Sequence, residues 1–154
     1  MEGRVQDGQD LSPNPGNSMD FTGINYLAVL VAALASFFVG WPWYMIFGKS
    51  WAKALGKGPD NPSRPEPKPF IVLGLCLLVM AYVLAGFIGH LGQGQVTIRN
   101  GIISGLFAWA GFVVTTMAVN YTFQGRPLSL TLIDAGHYLV VLIVMGAIIG
   151  WFGV

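Results

Sequence analysis

From Ile24 onward, apolar residues run in four long blocks separated by short polar stretches, and ionisable positions inside the blocks are rare. A helix needs about 20 apolar residues to cross a bilayer. The blocks at about 24–47, 70–91, 101–123 and 128–152 each reach that length. They predict an all-α, polytopic membrane protein with four transmembrane helices over residues 24–154. Residues 1–23, rich in Gly, Pro, Asn, Asp and Gln, read as an irregular polar tail. The tail carries Glu2, Asp7, Asp10 and Asp20 against Arg4, so it does not start like a secretory signal, whose first region is short and basic.

Within the blocks, small residues recur at helical spacing. Ala28, Ala32, Ser36 and Gly40 share one face of the first helix, and Ala81, Ala85 and Gly89 share one face of the second. Such faces let helix backbones approach closely, and helix packing is their expected use. Trp41, Trp43 and Tyr44 precede the first loop where an aromatic belt is expected, with Pro42 as a candidate kink. That loop, 48–69, opens with a stretch read as a short interfacial amphipathic segment, with Trp51 and Leu55 toward lipid. It continues with closely spaced prolines that argue against regular helix.

The charge pattern sets an orientation. Lys49, Lys53, Lys57, Arg64 and Lys68 lie in the first loop and Arg126 in the third, against Arg4 and Arg99 on the other side. By the positive-inside rule, loops 48–69 and 124–127 are cytoplasmic and both termini lie outside. Composition supports membrane residence. Only 10% of the chain is charged, against about 25% in soluble domains, and mean hydropathy is +0.62. A formal net charge of +1 leaves no electrostatic footprint for nucleic acid.

An internal repeat emerges when the helices are paired. The first helix leaves the membrane as Trp43-Tyr44-Met45-Ile46-Phe47-Gly48-Lys49 and the third as Asn120-Tyr121-Thr122-Phe123-Gln124-Gly125-Arg126. The second ends Ala85-Gly-Phe-Ile-Gly-His-Leu-Gly92 and the fourth Gly146-Ala-Ile-Ile-Gly-Trp-Phe-Gly153. The pattern suggests a tandem duplicated helical hairpin, with both copies in the same orientation.

The candidate chemistry centres on Asp134, the only carboxylate inside any block. An ionisable group in lipid is expensive and needs a partner or water. At a rise of about 1.5 Å per residue, Asp134 lies about 9 Å and His137 about 13 Å into the fourth helix. Counting back along the third helix sets Thr116 and Asn120 level with Asp134, and these two share a face. Thr116, Asn120, Asp134, His137 and Tyr138 are thus the expected polar cluster, read either as a structural knot or as a proton- or cation-handling site. Cys76 is the only cysteine, so an intramolecular disulfide is excluded. His90 and His137 differ in depth and do not make a metal site. No cofactor is implied, and no nucleophile–base pair points to an enzyme.

Several stretches resemble a known family. Asn25 to Ala33, Gly40 to Tyr44 and Phe47-Gly48-Lys49-x-Trp51 resemble the opening of a bacterial membrane family known as domain of unknown function 1761. Gly111–Thr116, Asn120-Tyr121, Arg126-Pro127 and Met145-Gly146 are similar to its second half. The resemblance covers nearly all the chain from Asn25. It implies a four-helix protein of the bacterial cytoplasmic membrane and supplies no activity. Two departures stand out: the acidic tail is longer than expected, and Asp134 stands where a small polar or neutral residue is expected. The functional expectation is an accessory or structural subunit, contacting lipid and other membrane subunits or further copies of itself. It rests on small-residue faces too numerous to be buried within four helices. The alternative is a small oligomeric transporter or proton- or cation-handling protein that uses Asp134, His137 and Asn120.

Overall fold

A computed structural model describes residues 24–57, 66–92 and 94–153. The polar tail and the Pro-rich centre of the first loop lie outside the described residues. The described residues form four helices, each long and apolar enough to cross a membrane, and contain no strand. They are α1 (Tyr26–Ala54), α2 (Pro67–Gly89), α3 (Ile98–Phe123) and α4 (Leu128–Phe152). This is a multi-pass membrane protein.

The helix ends follow local chemistry. The Asn25 side chain accepts from the Ala28 N–H and caps α1, and Thr97 does the same for α3 through Asn100 N–H. α1 runs seven residues past its expected end at Phe47, straight through Pro42 and on to Ala54. The stretch expected as a separate interfacial segment is therefore the last two turns of α1. Its 29 residues span about 44 Å, so one end stands clear of a hydrocarbon core about 30 Å thick. Trp51, half-buried, packs edge-on against Tyr44, ring centroids 5.5 Å apart. α2 starts at Pro67, within the stretch expected to be irregular, because proline fits the first helical turn, where its missing N–H costs nothing.

α4 is the hub. It packs most extensively against α3 and then α1, whereas α2 packs mainly on α1 and touches α3 and α4 sparsely. The hairpins are therefore packed unequally, and the suggested duplication gains no support from the packing. The apolar core occupies one end of the bundle. There Ala32, Leu77, Ala81, Ala85, Ile88, Val141, Met145 and Ile149 are buried. At the other end the first half of α2 stands away, leaving Phe70, Ile71, Val72 and Leu75 exposed.

The closest helix contact lies between α3 and α4, where Gly101 meets Gly146, Gly105 meets Leu142 and Gly150 meets the Thr97 carbonyl at the start of α3. A β carbon on Gly101 would collide with the Gly146 carbonyl, and one on Gly146 with the Gly101 carbonyl. Both helices carry glycines four residues apart, the small-xxx-small pattern of close membrane-helix pairs. By contrast, Ala28, Ala32, Ser36, Ala81 and Ala85 are all buried within the single chain, and Gly40 and Gly89 partly so. The Ser36 hydroxyl donates to the Val141 carbonyl at 3.5 Å. The fourfold-spaced faces of α1 and α2 are thus used internally rather than left free for neighbours.

Candidate functional site

Asp134 is buried at 8% exposure at the splayed end of the bundle. Its two oxygens accept from two different helices. Tyr44 Oη of α1 donates to Oδ1 at 3.1 Å, and Tyr121 Oη of α3 donates to Oδ2 at 2.9 Å. Each oxygen thus has one hydroxyl partner, and a hydroxyl can donate to a carboxylate or accept from an acid. Two indoles brace the backbone around it. Trp43 Nε1 donates to the Ile133 carbonyl at 3.2 Å and Trp109 Nε1 to the Ala135 carbonyl at 2.7 Å. Gly136 leaves room for Trp43, because a β carbon there would lie 2.9 Å from the ring.

One turn deeper sits His137, 4% exposed, with neither ring nitrogen hydrogen-bonded. Its ring lies among aromatics, with centroids 5.3 Å from Tyr44, 5.2 Å from Tyr138 and 6.2 Å from Trp43. Gly40 of α1 borders it, since a β carbon at Gly40 would stand 3.5 Å from Nε2. The Gly40 position of the small-residue face therefore serves this ring.

Asp134, His137 and Tyr138 thus come together, whereas Thr116 and Asn120 are exposed and make no bond to Asp134. The reason is a single extra residue in α3. Residues Trp109–Val113 form a π turn, with Val114 N–H donating to the Trp109 carbonyl five residues back. At about 100° per residue, a straight α-helix would set Thr116 and Asn120 within about 20° of Trp109, and Tyr121 about 120° away. The π turn absorbs one residue and carries Met117 and Tyr121 into those places instead. Counting back from the loop sets the level of these residues but not their facing, which the π turn decides.

Among the residues expected as interface anchors, Trp41 is exposed and its indole N–H contacts Met45 Sδ at 2.8 Å. Arg126 is exposed in the turn between α3 and α4. Trp43 and Tyr44 are half-buried and turned toward α4 as part of the site. Tyr44, Tyr121 and Trp109 were not legible as partners of the Asp134 region from spacing alone. The repeat alignment did hold a hint, because it superimposes Tyr44 on Tyr121, the two residues that divide the carboxylate oxygens between them. Carried back along the second helices, the same alignment sets Leu73 opposite Asp134, so the buried acid belongs to one hairpin only.

The profile of one protein family, DUF1761, a protein of unknown function, matches residues 27–150, which covers most of the chain. The chain belongs to this family. No curated protein and no solved structure matches it significantly. For this DUF1761 protein, then, chemistry is argued from the site itself. Among the described residues, no three His, Cys, Asp or Glu side chains come together as metal ligands. Cys76 is exposed on α2. The arrangement offers a buried acid held by two hydroxyls, beside a buried imidazole with an open donor and acceptor position.

Proposed function

We propose that this DUF1761 protein handles protons, with Asp134 and His137 as the groups that take them up and release them at the end of the bundle bearing Lys49 and Arg126. The observation that carries the reading is His137. Each unmade hydrogen bond of a buried polar group costs about 1–3 kcal/mol, and a leucine or phenylalanine would fill the place without that cost. A purely structural knot accounts for Asp134 and its two tyrosines but leaves His137 unexplained. A proton on His137 would supply the counter-charge that Asp134 lacks among its hydrogen-bond partners, and it needs no cavity. Beyond His137 the path is closed by Val141, Met145 and Ile149, each almost fully buried. In this conformation the site therefore exchanges protons with one side only, and transport requires a second conformation or a partner.

The test is infrared difference spectroscopy of the purified protein in liposomes across a pH step. A protonated-carboxyl band that appears on acidification and is missing in Asp134→Asn is expected. Identical difference spectra for the two proteins would defeat the reading. Structural membership of a larger assembly, as an accessory subunit or a homo-oligomer, is the second reading. It is favoured by the sparse contact of α2 with α3, which leaves apolar helix faces uncovered at the splayed end.

We place the protein in a bacterial cytoplasmic membrane with loops 48–69 and 124–127 inside, on the strength of the basic residues there. A single cysteine at Ser63 in a Cys76→Ala background is expected to resist a membrane-impermeant maleimide added to intact cells and to react after lysis. Labelling of intact cells would reverse the orientation. No enzymatic activity is proposed, since no serine or cysteine stands beside a positioned base at the site.

A further inference from the structure

We propose that the part of α3 below its π turn is a two-register switch on Asp134, with Tyr121 bonding the carboxylate in one register and Asn120 bonding the protonated acid in the other. The inference rests on Asp134 being the proton-binding group.

Four observations carry it. The upper part of α3 is locked to α4 by Gly101 and Gly105. The lower part, Val114–Phe123, has no buried residue, and its only side-chain hydrogen bond to another helix is Tyr121 to Asp134. The π turn between them holds one residue more than the α-helical path needs. Finally, the residue that a regular helix would bring to Asp134 is Asn120, with Thr116 one turn above it on the same face.

Relaxing the π turn to α geometry turns the lower segment by about 100° and shifts it about 1.5 Å along its axis. Little packing opposes the turn, and Gly125, at φ +64°, lies in the connection that must absorb it. The chemistry of the two partners differs in the required sense. A tyrosine hydroxyl makes one bond to the group, donating to a carboxylate or accepting from an acid. An asparagine amide donates and accepts at once, and only the protonated acid answers both bonds. On protonation, a proton from water on the Lys49 and Arg126 side adds to Oδ2. The acid O–H then donates to the Asn120 amide oxygen, while Asn120 Nδ2 donates to Oδ1. The titratable groups around Asp134 are Tyr44 from α1, Tyr121 from α3, and His137 and Tyr138 on its own helix. Arg126 acts on Tyr121 from the turn, and α2 brings Cys76 toward Tyr138.

The test uses the full chain in liposomes with Cys76→Ala and the pair Thr116→Cys and Thr131→Cys, which keeps Asn120 in place, probed with a short bis-methanethiosulfonate cross-linker. Cross-linking is expected to rise about tenfold between a neutral and an acidified sample. In an added Asp134→Asn background it should be high at both. Deleting Gly111, where a β carbon would meet nothing within 4 Å, removes the surplus residue and holds Tyr121 in place by regular helix. That deletion should keep cross-linking at its low level throughout. A yield indifferent to pH, a yield the deletion leaves unchanged, or a pH response that persists in Asp134→Asn each overturns the switch. Should the infrared band of Asp134 be missing while Asp134→Asn alone gives the high yield, the proton reading fails and the two-register element stands.

Discussion

Gly101→Ala and Gly146→Ala are each expected to prevent the protein from reaching a stable fold. At the α3–α4 crossing, backbone meets backbone, and the β carbon of either variant would fall on a peptide carbonyl of the facing helix. A side chain can swing aside, but a carbonyl in a helix interior cannot move without its helix. α3 would have to back away along its whole upper half, which would also pull Trp109 off the Ala135 carbonyl. Loss of more than about 4–5 kcal/mol places such substitutions in the exceptional class, enough to exhaust a typical domain's stability. Gly86→Ala is the matched control, because a β carbon there meets nothing within 4 Å and alanine favours helix by about 0.5–1 kcal/mol. Monodispersity in mild detergent and resistance to unfolding by added SDS would separate the variants. Wild-type resistance in Gly101→Ala would mean the helices do not cross at these glycines.

The crossing also shows what could and could not be read along the chain. Apolar block length gave the four spans, because crossing hydrocarbon leaves a helix little choice but to satisfy its own backbone. Asp134 and His137 stood out for the same reason, as costly groups in an apolar block. What the pattern hid were the partners. The faces of α1 and α2 with small residues every fourth position invited an intermolecular reading, yet they close the interior, while the tightest contact uses Gly101 and Gly105 of α3, which the repeat comparison did not touch, and Gly146 and Gly150 of α4, which it treated only as alignment matches. Nothing in Trp109-Ala-Gly-Phe-Val113 marks a π turn, since a single extra residue in a helix changes no composition and breaks no periodicity long enough to notice. Yet that residue decides whether Asn120 or Tyr121 meets the acid. Tyr44 was hidden differently: an aromatic next to a basic loop has a ready role at the membrane surface, and only packing shows it turned inward.

The tyrosine pair provides the second large effect. Tyr44→Phe and Tyr121→Phe each remove one donor from a carboxylate with 8% exposure, and each is expected to cost about 1.5–3 kcal/mol, the range for hydrogen bonds to charged groups. The double variant should be worse than either single one, about 3–5 kcal/mol below wild type, because no donor then remains for a buried charge. It also unties three helices at once, since Tyr44, Tyr121 and Asp134 belong to α1, α3 and α4. Adding Asp134→Leu to the double variant should restore most of the loss, because removing every member of a buried polar group together leaves nothing unsatisfied. Asp134→Leu alone should not restore anything, because it strands both hydroxyls. Wild type, the double variant, Asp134→Leu and the triple variant form a thermodynamic cycle whose coupling term reports the clamp directly. Rescue by leucine in the double background but not in the wild type is the expected signature. Equal stability of wild type and double variant in SDS titration would mean that Asp134 is not held by these tyrosines, and both the proton site and the register switch would lose their anchor.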